Sequence, residues 1–285
     1  MHAPGAGLGA INVYNLMNQA VEGDIMRIAV VGLGEAGRLY AEGFAGLGAQ
    51  VSGFDPVAAQ DPEGVRRDAS IAAAVGDADF VVSLVGASFS SAVLDESLAS
   101  MPADAVFADL NTGAPAQKAE LAAAAAAAQR RFVDVAVMAP VPRAGAMTPL
   151  LASGDGAERL VSAWSQLGVP VSAVGPDAGT AAGLKMLRSV FMKGLAAVVM
   201  EAASAAEIAG SRDWMLAEMA SELGPDGPAL VERLVDGTRQ HAARREHEMR
   251  DAEAYLGTLA APAWVTGATI QWLHALAEDP AFPTG

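Results

Sequence analysis

The chain is 285 residues long, 52% hydrophobic and 18% charged, with a formal net charge of -15 and no cysteine. So large an acidic surplus repels nucleic acid and anionic membranes, both of which bind through clustered Lys and Arg, and neither is expected as a partner. The lack of cysteine removes disulfides, thiolate metal sites and cysteine nucleophiles, and it fits a reducing compartment, with the cytoplasm as the default.

Residues 1–25 are rich in Gly, Ala and Asn and carry neither a cationic start nor a continuous apolar core. They read as a mobile extension rather than a signal peptide, and Met26 stands directly before the first strong strand. The remainder divides into two expected domains, residues 26–176 and residues 177–285. In the first, short β-branched runs alternate with Ala-rich stretches, the pattern of a parallel sheet covered by helices. Arg27–Gly32 reads as the first strand, Ala36–Leu47 as a helix, Gln50–Phe54 as the second strand, Phe80–Val85 as the third and Ala105–Asp109 as the fourth. Pro115 is placed to start a helix that runs to Gln129 through seven consecutive alanines. Phe132–Val137, Leu150–Ala152 and Val169–Val174 read as three further strands.

Thr180–Gly210 has helical periodicity without proline and is long enough to connect the domains. Its richest apolar stretch, Leu195–Ile208, is interrupted by Glu201, so no apolar run is expected to span a membrane. Trp214–Leu223, Pro228–Gly237, Arg239–Leu259 and Trp264–Ala277 then predict a helical bundle. The expected fold is α/β: a doubly wound Rossmann sheet followed by an all-helical domain, joined by a long interdomain helix.

Gly32-Leu33-Gly34-Glu35-Ala36-Gly37 lies between a buried strand and an amphipathic helix, the context in which Gly-x-Gly-x-x-Gly binds a dinucleotide. Gly32 permits the tight turn, Gly34 lets the backbone approach a pyrophosphate at the helix N-terminus, and Gly37 allows close helix-to-strand packing. Asp55 ends the second strand about 20 positions later, where a carboxylate accepts hydrogen bonds from the adenosine ribose. NAD is therefore favoured over NADP, because Asp55 repels a 2′-phosphate and Arg66 and Arg67 stand far along the loop. A turn-forming Asp before Pro56 is the plainer alternative.

Only three of the 18 basic residues are lysines. Lys185, flanked by Ala181, Ala182, Leu184, Met186 and Leu187, has apolar surroundings that lower its pKa toward the range useful for proton transfer. Arginine cannot do that work. Lys193 points about 80° away on the same helix wheel and reads as a surface cation.

With these residues in place the chain resembles the β-hydroxyacid dehydrogenase superfamily, which includes 3-hydroxyisobutyrate and 6-phosphogluconate dehydrogenases. The resemblance covers Met26 to about Leu259. It rests on the glycine loop, on Asp109-Leu-Asn-Thr112 before Pro115, on the loop after Phe132-Val-Asp134, and on Gly179-Thr-Ala-Ala-Gly-Leu-Lys185. It implies that Lys185 exchanges a proton with the substrate hydroxyl while hydride passes between the same carbon and the nicotinamide. It also implies that Thr112 lies near the nicotinamide, that Leu84 and Val85 line the cofactor cleft, and that Arg250, in an Arg250-Asp251 pair where the family often has Lys-Asp, contacts the cofactor.

Departures from the family pattern bear on the substrate. Where relatives read Ser-Gly-Gly, this chain has Met138, Ala139 and Pro140, followed by Val-Pro-Arg143, so hydroxyisobutyrate is not the expected substrate. Ser189 replaces the family's substrate-orienting asparagine and reaches less far. Lys-Met-Leu-Arg-Ser together with Met-Ala-Pro-Val-Pro resembles a loosely described 6-phosphogluconate-dehydrogenase-like subgroup. Arg143 and Arg188 are candidates to grip a carboxylate or phosphate, or else are surface cations. His241, Arg244, Arg245, Glu248 and Arg250 crowd one helix; its plainer reading is a solvated face with Arg244 and Glu248 at salt-bridge spacing, and its sharper one carries His241 or Arg245 to the substrate cleft. The histidines show no metal-ligand spacing.

The function expected is NAD(P)-dependent oxidation of a small 3-hydroxy acid or related alcohol, carried out by a homodimer. Imine reduction on the same scaffold is one alternative, although those enzymes commonly put Asp or Tyr at the lysine position. A non-catalytic NAD-binding sensor or interaction protein is the other.

Overall fold

The computed structural model describes residues 25–58 and 60–279, so the expected extension lies, but for Ile25, outside the described residues. Strands β1 (Arg27–Val31), β2 (Gln50–Phe54), β3 (Val65–Arg67), β4 (Phe80–Ser83), β5 (Val106–Asp109), β6 (Arg131–Val137), β7 (Leu150–Ser153) and β8 (Val171–Ala173) form one sheet, ordered β3-β2-β1-β4-β5-β6-β7-β8. Its pairs are parallel except for β6 with β7, where Val137 faces Leu150 in antiparallel register. The β6–β7 connection holds two short 3-10 turns and no crossover helix, so the chain must return antiparallel. The order reverses between β1 and β4, and at such a switch point the carboxyl ends of the strands leave a crevice for a ligand.

Successive strand residues point to opposite faces, and the two cores follow that alternation. Ile28, Val30, Val82, Val106, Ala108, Val133 and Val135 pack on one face with Tyr40 and Phe44 of α1 (Glu35–Gly46) and with Leu160 and Trp164 of α5 (Ala157–Gln166). Ala29, Val31, Val81, Phe107 and Phe132 pack on the other with α2 (Ile71–Val75), α3 (Ser90–Leu98) and α4 (Pro115–Ala127). The sequence pattern leaves out β3, α2, α3 and α5, which are short or interrupted by polar positions.

Helix α6 (Thr180–Ile208) starts against β6 and leads into α7 (Arg212–Glu222), α8 (Gly227–Gln240), α9 (Ala242–Thr258) and α10 (Trp264–Glu278). By length and composition α6 could cross a membrane, contrary to the expectation from Glu201. In this fold it packs against α4, α7, α8, α9 and α10, with Ala196, Val199 and Met200 in a core shared with Val231, Leu234 and Leu276. The start of α6 is held close: Gly179 has φ +101, and a Cβ there would lie 2.6 Å from the Pro115 carbonyl oxygen. Two of the landmarks quoted above therefore touch.

Candidate active site

Gly32 adopts φ +94, and a Cβ on it would stand 2.5 Å from the Leu84 oxygen and 2.8 Å from Val85 Cγ1. Leu84 and Val85 thus face the glycine loop across the switch point. Gly37 is equally tight, since a Cβ would meet the Gly32 oxygen at 1.8 Å. Gly34 is the opposite case: among the described residues nothing lies within 4 Å of where a Cβ would stand, and as N-cap of α1 it offers no side-chain cap. The first-turn N–H groups around Glu35 and Ala36 are left to an anion, so the loop fits a dinucleotide pyrophosphate. Leu33 contributes differently, with its side chain 4% exposed in the core and its N–H turned to Asp55.

Asp55 Oδ2 accepts the Leu33 N–H at 2.8 Å, while Oδ1 accepts from Val57 and Ala58 at 2.8 and 3.0 Å. The turn-forming and ribose-reading roles are both open to it, since a carboxylate has about four acceptor sites. Arg67 is not remote, which corrects the reading from chain distance. Parallel pairing sets Gly53 beside Arg67, and the Arg67 guanidinium donates to the Asp55 carbonyl at 2.6 Å, the Ala58 carbonyl at 3.0 Å and Asp61 at 3.0 Å.

At the carboxyl end of β5, Thr112 Oγ1 accepts a hydrogen bond from Lys185 Nζ at 3.2 Å. Burial pushes the Lys185 ammonium down to about 8; Glu248 opposes the shift, and Lys118 and Lys193 reinforce it. Ser189, one turn along, accepts from Lys193 Nζ at 2.9 Å. Lys193 also pairs with Glu248 of α9 at 2.7 Å and its side chain is only 13% exposed, so the surface-cation reading fails. Its own pKa is lowered by burial, with Glu248 opposing. Burial pushes Glu248 up, yet Lys193 and Arg244 together hold it below the usual carboxylate range. The Arg244–Glu248 pair forms at 2.9 Å as spaced, but Glu248 faces α6 rather than solvent alone.

The other candidates are distributed more loosely. Met138 and Ala139 are partly buried at the end of β6, with Met138 N–H donating to the Pro149 carbonyl, and Pro140 is exposed. Arg143 is exposed on a turn that packs against α1. Arg188 is exposed on α6, about one turn beyond Lys185. His241 is half-buried at the joint of α8 and α9, and Arg245 donates to Thr238. Arg250 pairs with Glu246 at 2.6 Å, and His274 of α10 lies 3.4 Å from the same Glu246 oxygen. Arg250 and Glu248, two positions apart, point to opposite sides of α9, so Arg250 is turned away from the Lys193 face. Two buried residues that sequence reasoning missed stand out: Lys118 and Asp134, both 1% exposed, beneath the start of α6. Asp134 lay within a quoted landmark; a lysine in an Ala-rich helix gave no sign of burial.

A glycine loop at the switch point of a mostly parallel sheet, with a long helix carrying a lysine to the same edge, defines a Rossmann-type binder of a nicotinamide dinucleotide. Residues 27–172 match the NAD binding domain of 6-phosphogluconate dehydrogenase, and the chain belongs to that family. Residues 206–276 match a domain of unknown function, DUF1932. An uncharacterized 28.5 kDa protein in the 7S RNA 5′ region of Methanothermus fervidus is 32% identical over 128 residues, 45% of this chain and 49% of that protein, so the match spans about half the relative's length. A conserved hypothetical protein from Sinorhizobium meliloti has 31% identity over 92% of both chains and a TM-score of 0.77. The 3-hydroxyisobutyrate dehydrogenase of Mycobacterium tuberculosis, solved with L-serine, has 20% identity over 90% of this chain and 95% of its own, with a TM-score of 0.76. An imine reductase from Myxococcus stipitatus has 19% identity over 89% and 94%, with a TM-score of 0.65. The last two likenesses are likenesses of fold.

Proposed function

We propose that this chain is an NAD-dependent oxidoreductase acting on the carbinol carbon of a small 3-hydroxy acid or related alcohol, with Lys185 as general acid and base. The observation that carries this reading is the hydrogen bond of Lys185 to Thr112 at the cofactor edge, made by an amine whose pKa burial has brought near neutrality. The nicotinamide, when bound, supplies the hydride acceptor. The chain supplies the rest. Neutral Lys185 Nζ takes the hydroxyl proton as the carbinol C–H electron pair leaves and the carbonyl forms, and in reduction the Lys185 ammonium returns a proton to the oxygen. Ser189 orients the substrate, and exposed Arg188 offers a cation to its carboxylate. Asp55 reads the ribose hydroxyl and sets the preference for NAD.

The test follows the near-ultraviolet absorbance of reduced cofactor while NAD, then NADP, is offered with a panel of 3-hydroxy acids, beside Lys185→Ala. Turnover with NAD that the variant loses supports the reading. Turnover of cyclic imines instead would move it to the reductase alternative, and cofactor binding without turnover of either class to a sensor.

A cytoplasmic homodimer belongs to the same proposal. Leu184, Leu187, Phe191 and Val198 form an exposed stripe on α6, and a second copy would cover it. Light scattering that gives a monomer at micromolar concentration would sink that part.

A further inference from the structure

The cofactor edge of the sheet and the helix that carries Lys185 are joined by one buried chain of polar contacts. Gly86 N–H donates to Asn111 Oδ1 at 2.7 Å, and Asn111 Nδ2 donates to Ser83 Oγ at 3.0 Å and to Asp109 Oδ1. Lys118 Nζ donates to Asp109 Oδ2 at 2.9 Å and to the Asn111 carbonyl at 2.7 Å, and stands 3.6 Å from Asp134 Oδ1. Asp134 Oδ2 in turn accepts from Gly179 and Ala182 N–H at 3.1 and 2.9 Å, capping α6. Ser153 Oγ donates to the same carboxylate at 3.3 Å and accepts Ala181 N–H at 3.0 Å.

Lys118, Asp109 and Asp134 are each 1% exposed. Two aspartates flank one lysine in a buried site, and the N-terminus of α6 points at one of them. Asp134 spends one oxygen on the helix; its other, Oδ1, has no hydrogen-bond partner among the described residues and stands within the field of Lys118. An unpaired buried carboxylate is costly, so the cap depends on the lysine.

We propose that Lys118 is a positioning residue that holds Asp134 as the cap of α6, fixes Lys185 over Thr112, and sets its own amino group beneath it. This rests on reading Lys185 as the proton-transfer group. Burial aside, the charges that act on Lys185 come from four elements: Glu248 on α9 raises its pKa, Lys118 on α4 and Lys193 on α6 lower it, and Asp134 on β6 raises it.

The chain has three lysines, so reductive methylation with carbon-13 leaves few signals, and Lys185→Arg assigns the one that matters. Its NMR titration would be followed in the full-length protein. Lys118→Met should move the Lys185 midpoint up, and Asp134→Asn, which keeps a capping oxygen but removes a charge, should move it down, each by about half a pH unit or more. A lysine and aspartate that merely hold the fold together would, when replaced, loosen α6 and move both midpoints up toward the exposed value. That result, or no movement in a folded Lys118→Met protein, overturns the proposal. Should Lys118→Met fail to fold, Asp134→Asn decides by the direction of its shift. No substrate enters the measurement, so failure of the proposed activity would leave its outcome intact.

Discussion

Lys185 Nζ meets Thr112 Oγ1 at 3.2 Å across 73 positions of chain. Thr112 is set by the end of β5 and Lys185 by the second turn of α6, and the two elements are clamped where Gly179 passes against Pro115. Because the amine is partly buried there, at the carboxyl end of β5, its proton affinity and its position are consequences of the same packing.

The pH dependence follows from the sign of that shift. Lys185 sits at about 8, below the ordinary lysine value, first because of burial. Under the proposed mechanism the neutral amine is the base, so the oxidation rate should rise with pH through about 8 and level off, while reduction falls over the same window. The unfolded chain binds more protons than the folded one between about 8 and the normal lysine pKa, so this group makes stability rise with pH across that interval. In Lys185→Ala the step should vanish from the kcat profile and the rate should drop at least about 100-fold.

Two glycines of one loop should fail in different ways. At Gly34 a Cβ meets nothing within 4 Å among the described residues, so Gly34→Ala should leave the melting temperature nearly unchanged while weakening NADH binding about tenfold or more by blocking the backbone's approach to the pyrophosphate. At Gly37 a Cβ would lie 1.8 Å from the Gly32 oxygen, and Gly37→Ala should lower the melting temperature itself. Fluorescence titration with NADH beside thermal unfolding separates the two.

Asp55 is tied to Leu33, Val57 and Ala58, with Arg67 beneath its carbonyl. Asp55→Asn keeps an acceptor and removes the charge, so the ratio of NADH to NADPH affinity should fall about tenfold, the size of one charge-assisted hydrogen bond. An unchanged ratio would remove Asp55 from cofactor discrimination.

Glu248→Gln takes away the largest charge that raises Lys185. The kinetic midpoint should move below about 8, and Lys193, left in a mostly buried site without its partner, should cost about 1–3 kcal/mol in urea unfolding. A midpoint that moves upward would contradict the assignment of charges around the lysine.

Sequence and structure agree best where a property is local. β2 was predicted as Gln50–Phe54 and is found there, and the helix beginning at Pro115 starts where proline at the first turn requires. β3 escaped notice because three residues at a sheet edge carry no period to read. By count of positions Arg67 is distant from Asp55, yet parallel pairing with β2 folds it back beneath that residue. Lys193 reads as a surface cation from the sequence because its neighbours on α6 say nothing about α9, which brings Glu248 to it.

The glycine loop, the acidic end of the second strand, the alternation of strand and helix, and the apolar flanks of Lys185 are legible in the chain alone. These depend on backbone conformation and residue period within one segment. Packing between remote segments sets which charges are buried and what faces them: Lys118 between Asp109 and Asp134, Glu248 against Lys193, and Lys185 over Thr112. Desolvation and Coulomb interaction depend on distance in space and on the exclusion of water, and both arise only when remote segments pack together.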